Sequence, residues 1–464
     1  MRALRTVIHW VAVFVVTAAL LRSDCTAEEK TVFTVTGLDD SQHDSSNVQQ
    51  AIDQACMVSD GLVRLIGTFD FGDADNCVTI PGPITIMGQN DPSVVAPGQE
   101  HTTVIKSTGT APLVIADTGP EDGEIVVRNL WFDGAQTLAV SFRQIVGTVR
   151  MIDNRVSGVQ PGREFRFAMA GAKIGGDNED TDSSADQSRG SNLTGSIYLE
   201  GNYIDNDVPF AVGDDNGFAF AGVHLKRIEV TNNYIHAGEA VEIEGCRGTD
   251  AVYIIKGNTI VQTPVVSNLA QLTNAPNLKR HGGHPAAIKP IDAQAKLIVI
   301  QDNSIDCRNA YPTAIGIMTG NSNANSKTII ENNHCQMNHQ FAGILGGWAG
   351  TPGFFDPFYM QNAEIRNNTF SGHALFGLAW LDFNFVNSKG VPVADMAVVN
   401  KASNNVVEGT DLSDFSWARA AAYLGPSTHN NTLTGPFRGR VRNPVKNDGT
   451  DNTIYGDRQP TVTK

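Results

Sequence analysis

One short pattern returns along most of the chain: apolar, any, apolar, any, any, Asn, any, apolar. Its asparagine falls at Asn154, Asn202, Asn233, Asn258, Asn303, Asn333 and Asn368, with well-formed copies at 197–204, 228–235 and 253–260. Looser relatives sit at Asn129, Asn405, Asn431 and Asn452. Intervals of roughly 25 to 50 residues are those of a solenoid rather than of separate globular domains. Alternating apolar residues are the period-two mark of a half-buried strand. Asparagine is the non-glycine residue that most readily takes a left-handed bend, so each copy reads as strand, bend, strand with the asparagine at the bend. Stacked coils would bring equivalent amides into a hydrogen-bonded ladder and bury one continuous apolar interior.

A solenoid needs its ends closed, because an open end exposes core and unpaired strand edges. Residues 46–55 supply a candidate: Ser46 and Gln49 have capping-box spacing, and Val48, Ala51, Ile52 and Ala55 share one helical face. Segments 61–69 and 83–88 follow as the strands of a first coil. The whole pattern resembles the right-handed parallel β-helix of pectate lyases, polygalacturonases and related pectin-lyase-like proteins, over most of the chain after residue 45. The expected fold is therefore all-β: one right-handed parallel β-helix over 28–464 with a short N-terminal capping helix. The composition agrees, with 45 glycines and aromatics at only 7%.

Residues 1–27 read as a secretory signal, in which Arg2 and Arg5 precede an apolar run from Val7 to Leu21 and Ala27 offers a small residue for cleavage. A membrane anchor is the other reading, but the run is short for a span of roughly 20 residues. Cleavage would remove three arginines and one aspartate, so the formal charge of -15 becomes -15 - 2 = -17. Such a surface disfavours nucleic acid and anionic membranes. The mature chain is expected outside the cytoplasm, secreted or in the periplasm or cell envelope, without a membrane span and as a monomer. Export permits disulfides among Cys56, Cys77, Cys246, Cys307 and Cys335, of which Cys56 and Cys77 are the candidate pair; five buried apolar thiols are the alternative.

Three stretches break the rhythm and read as loops. Residues 175–192 are rich in Asp and Ser, 264–285 carry Lys279, Arg280, His281 and His284, and 347–362 hold Trp348, Phe354, Phe355, Phe358 and Tyr359. Aromatic loops of that kind either stack on sugar rings or cover the flank of the helix.

A second alternating strand follows each template copy, and aligning these strands puts the isoleucines at 243, 288, 317 and 344 in the inward column. Glu242 and Glu244 then share an outer face with Lys289, which falls beside Glu244 one coil on, while the small residues at 287, 316, 343 and 377 keep that face open. The resemblance implies that this face carries the binding groove for an acidic polysaccharide or another glycan. A lyase of this kind needs a base and a cation to neutralise a uronate carboxylate, the cation being calcium or a Lys or Arg. Lys289, Glu242, Glu244 and His281 are the catalytic candidates, with Arg280, His284 and Trp348 for substrate. Glu242, Glu244, Asp214 and Asp215 are the candidates for calcium. A hydrolase needs paired carboxylates instead, and Asp214–Asp215 is similar to the paired aspartates of polygalacturonases. Each set also has a plainer role: a cross-strand charge pair for the Glu/Lys group, a turn for the aspartates before Asn216–Gly217, and a solvated loop for the histidines.

Overall fold

The computed structural model describes residues 31–462, apart from 159–165, 171–192, 207–214, 263–285, 348–359, 387–391, 436–443, 456–459 and some isolated or short turn positions. Its chain winds as a right-handed parallel β-helix with three faces per coil. The first face is a 15-stranded sheet running from Val32–Thr36 through Ser196–Glu200 to Thr453–Tyr455. The other two faces are stacks that share one 20-stranded network, because in the last coils they fuse into the single long strands His334–Gly346, Thr369–Trp380 and Asp411–Leu424.

Inside, columns of apolar side chains follow the register. Val127, Met151, Leu199, Val230, Ile255, Ile300, Ile330 and Ile365 stack on the first face, all essentially without solvent access. Phe132, Val156, Ile204, Ile235, Ile260 and Ile305 do so on the second, and Phe218, Val241, Ile288, Ile317 and Ile344 on the third. A coil on its own could not bury these residues; each gains its core from its two neighbours.

The asparagine ladder is present, with its parts assigned differently from the expectation. The left-handed residue of each bend is the one before the template asparagine: Asn129, Asp153, Gly201, Asn232, Gly257, Asp302, Asn332 and Asn367 all have φ between 50° and 68°. The template asparagine itself is buried beneath the bend. Asn154 Nδ2 donates to Asn202 Oδ1 (3.1 Å), and the contact repeats to Asn233 (3.0 Å), Asn258 (2.9 Å), Asn303 (2.9 Å), Asn333 (2.9 Å) and Asn368 (3.0 Å). The second Nδ2 hydrogen goes to a main-chain carbonyl of the coil before, as from Asn202 to Met151. Each Oδ1 also accepts the backbone N–H of the ladder residue below it, as between Asn154 and Asn202. Local turn chemistry and burial thus fall on adjacent residues. Leu130, not Asn129, begins the column, its N–H donating to Asn154 Oδ1.

Asn405, Asn431 and Asn452 do not extend this series. They form a second ladder, linked at 2.8 and 2.9 Å, at the bend that enters the first face rather than the bend that leaves it. Ala363 N–H donates into it from the preceding coil.

The N-terminal end is closed by the helix Asp44–Ala55, which buries Val48, Ala51, Ile52 and Ala55 as expected. The capping box is not formed. The helix starts two residues earlier, without a side-chain cap. Gln49 instead brackets a sheet edge, accepting from Thr79 N–H (2.7 Å) and donating to the Thr79 carbonyl (2.9 Å). The buried Asp44 carboxylate accepts the backbone N–H groups of Leu38, Asp40 and Asp70, which ties the helix to the first coil. Segment 62–80 makes that coil, and Ile84–Met87 already opens the next one. At the other end Pro460–Val462 pairs antiparallel with Thr453–Tyr455 and covers the last edge of the first face. Cys56 and Cys77 are not joined; all five cysteines from Cys56 to Cys335 are free thiols, and Cys246, Cys307 and Cys335 are buried. Among the described residues no helix is long and apolar enough to cross a membrane.

Candidate functional site

The third face carries the ionised groups that the sequence singled out. Strand Glu239–Glu244 pairs in parallel with Ala286–Ile291, and the register sets Lys289 opposite Glu242, not beside Glu244. Ile243 and Ile288 point inward as expected, so Glu242 and Lys289 project from the outer side. That side is not open to solvent: the side chains of Glu242, Glu244 and Lys289 are 1%, 13% and 15% exposed.

Lys289 Nζ is the centre of the group. It donates to Glu242 Oε1 at 3.0 Å and to the Glu239 carboxylate at 3.3 and 3.5 Å, and it lies 4.0 Å from Glu244 Oε2. Glu239, 7% exposed, is a member that strict alternation hides. Counted back from Ile243 it would face the core, but Ala240 and Val241 both point inward, so the alternation slips at Ala240 and the Glu239 carboxylate lies on the outer side. Three carboxylates and one ammonium at these distances form a connected, mostly desolvated charge group. Removing one partner from such a group costs several kcal/mol.

The small residues at 287, 316, 343 and 377 do not keep the outer face clear. They point into the barrel, at the corner where the second and third faces meet. A Cβ on Gly343 would come within 2.3 Å of the Phe370 ring, and one on Gly377 within 2.6 Å of the Ala421 carbonyl oxygen. They are small because the interior is narrow there. Beyond the charged group the outer side is apolar instead: Ala286, Ile291, Ile315, Met318, Leu345 and Ala379 form a cluster separate from the main core, with Phe341, Phe376 and Tyr423 packed against it.

Other candidates fall where no geometry can be given. Asp214, Arg280, His281, His284 and Trp348 lie outside the described residues, as do all of 175–192 and 264–285 and most of 347–362. Asp215 opens the strand Asp215–Ala221, one coil before Glu239–Glu244, and its side chain is also outside the described set. These segments have a common place in chain order. Residues 207–214 and 263–285 lead into strands of the third face, and 171–192 and 348–359 lead away from it.

The carboxylates do not make a calcium cage as they stand, because the Lys289 ammonium occupies the point on which they converge. Among the described residues no group of three or more His, Cys, Asp or Glu is arranged to hold a metal ion.

Its architecture is that of a parallel β-helix. No protein-family model and no curated protein matches the sequence. Among solved structures, the chain is similar to the A-module of the mannuronan C-5 epimerase AlgE4 of Azotobacter vinelandii, with 14% identity over 90% of this chain and 98% of that one and a TM-score of 0.37. Tailspike protein 3 of bacteriophage CBA120 aligns at 11% identity over 91% of this chain and 58% of that one, with a TM-score of 0.45. A mannuronic acid-specific family 6 polysaccharide lyase from human gut microbiota gives 11% identity, 92% and 82% coverage and a TM-score of 0.37. At such identities the likeness concerns the winding of the chain alone.

Proposed function

We propose that this is an exported carbohydrate-active protein that cleaves an acidic polysaccharide, by elimination or hydrolysis, on the outer side of its third face. The observation that carries the reading is the Lys289 group. One ammonium held at 3.0 to 4.0 Å from three nearly buried carboxylates stands beside an apolar cluster on the same side of the third face. Ile315, Met318 and Leu345 show that the solenoid is built there without ions, and a desolvated charge group is weak evidence for stability. Clusters of this kind are functional-site candidates because their proton affinities and charges are set by neighbours.

In this reading Lys289 pairs with a uronate carboxylate of the substrate. Glu242 and Glu244 then move the proton, as base in elimination or as an acid and base pair in hydrolysis. Arg280, His281, His284 and Trp348, on segments that adjoin the same face in chain order, are the proposed substrate contacts.

Purified mature protein is incubated with uronate polymers, with added calcium and with chelator, while unsaturated ends and reducing ends are followed. New ends are expected, with Lys289→Ala and Glu242→Gln reducing turnover at least about a hundredfold without unfolding. Turnover only with calcium would give Glu242 and Glu244 a metal-binding role in the complex. Binding of the polymer without new ends would make the protein a non-catalytic glycan receptor of the cell surface or envelope.

A further inference from the structure

The outer side of the second face holds a feature with no part in the Lys289 group. Register places Trp131, Arg155, Tyr203, Tyr234, Thr259, Ser304 and His334 in one outward column on successive coils. The first four form a stack. The Arg155 guanidinium lies 4.1 Å from the Trp131 ring centroid and 5.6 Å from that of Tyr203, and the Tyr203 and Tyr234 rings are 4.7 Å apart and 10° from parallel. Gly98, at φ 79°, packs on the Tyr203 ring so closely that a Cβ would come within 2.5 Å of it, and its carbonyl accepts from Arg155 Nη1. The stack is therefore covered from Trp131 to Tyr203 and emerges at Tyr234.

Tyr234 has one ring face against Tyr203, and the other looks along the helix axis over the next two rungs. Those rungs are Thr259 and Ser304, both exposed and both short. His334 ends the ledge three strand spacings from Tyr234, about 14 Å. Along its side runs a parallel column of Asp205, His236, Val261 and Asp306. His236 Nδ1 is 3.1 Å from Asp205 Oδ1, and Arg308 is paired with Asp306 at 2.7 Å.

We propose that this ledge is a second glycan subsite, separate from the third face, and that it takes a neutral pyranose. The ring orientation of Tyr234 is already fixed by the stack below it, so a sugar that lays its C–H face on the open side meets a surface that loses little freedom on binding. Hydroxyls of Thr259 and Ser304, with the Asp205–His236 pair at the flank, supply the short polar contacts that orient a polyol. Among the described residues around the ledge, the carboxylates are those of Asp205 and Asp306, and the two cations are committed, Arg155 buried in the stack and Arg308 paired with Asp306. A uronate is disfavoured there, in contrast to the Lys289 group.

The test is a ligand-observed NMR titration of the whole mature protein with neutral (1→4)-linked hexamers of glucose, mannose and N-acetylglucosamine, and with a uronate hexamer. Saturation transfer to at least one neutral hexamer is expected. Tyr234→Ala should weaken it several-fold to about tenfold, while Tyr234→Phe, which keeps the ring, stays within about twofold. Lys289→Ala should leave it unchanged, so failure of the third-face reading and failure of this one are told apart. A folded Tyr234→Ala variant, checked by circular dichroism, that binds like wild type would overturn the proposal. So would the absence of transfer to all three neutral hexamers, or preferential uronate binding that depends on Tyr234.

Discussion

A ladder asparagine serves three partners with one side chain, and that sets the cost of losing it. Asn333 accepts two N–H groups from Asn303 and donates to Asn368 and to the Ile300 carbonyl. Asn333→Ala leaves these buried groups without partners and is expected to lower unfolding free energy by about 3 kcal/mol, read from the urea midpoint at unchanged slope. The reverse change is available where the column stops. Thr410 follows the left-handed Gly409 at the place where Asn368 would meet its next amide, and its Oγ1 is buried without a hydrogen bond beside a small apolar space lined by Ile365, Phe370 and Val407. Thr410→Asn is expected to raise the same midpoint by about 1 kcal/mol equivalent. The sequence disclosed that an amide recurs but not which of two adjacent residues bends the chain. Asn232–Asn233 and Asn332–Asn333 are identical pairs in which only burial separates the roles. Glu239 was hidden for a related reason, since a slip inside a strand resets the alternation from which inward and outward positions are counted.

At the level of the strand, the first face shows how ordinary surface charges behave. Lys327, Glu364, Arg366 and Glu408 link across three coils at 2.8, 3.1 and 2.8 Å. The hydrogen bond from Lys327, followed by the charges of Lys327 and Arg366, holds the Glu364 carboxyl below its usual range. A carboxyl whose folded pKa is lowered adds stability above its unfolded pKa of about 4.3, and loses it as pH falls through the lower folded value. Glu364→Gln should therefore cost about 0.5 kcal/mol near pH 7 and nothing once the pH is well below both values, as urea midpoints at the two pH values would show. The same reading of strands was legible in part beforehand. Inward columns such as Ile255, Ile300 and Ile330 came directly from alternation, and so did the outward placing of Glu242 and Lys289. The pairing of Lys289 with Glu242 did not, because the 45 residues from Asn258 to Asn303 include an insertion whose length conceals the register. The column of Trp131, Arg155, Tyr203 and Tyr234 occupies a position that the repeat pattern leaves unspecified, and only stacking at one strand spacing makes it a unit.

For the molecule as a whole, the buried thiols report on the integrity of the barrel. Burial pushes the Cys335 thiol up to about 12 and raises that of Cys307 well above its ordinary value, with Cys335 itself adding to the latter. Neither supplies thiolate at neutral pH, whereas Cys77 is exposed. A thiol reagent at pH 8 should thus modify Cys77 quickly and leave Cys246, Cys307 and Cys335 silent until denaturant opens the coils; rapid reaction of those three in buffer would contradict the packed interior. The fusion of the second and third faces bears on something else. In several early coils the strands of these two faces are separate elements, as with Arg155–Ser157 and Arg166–Ala170, Tyr203–Asp205 and Asp215–Ala221, or Thr259–Gln262 and Ala286–Ile291. In His334–Gly346, Thr369–Trp380 and Asp411–Leu424 the corner between the two faces is crossed by continuous strands, whose pairing shifts register at Asn338/Gln340, Thr369/Ser371 and Ala374/Phe376. New peptide could be grafted at the early corners without touching a rung, while at the late ones any insertion must cut a ribbon in half. The two ends of this solenoid are therefore unequal in what they allow evolution, or a protein engineer, to vary.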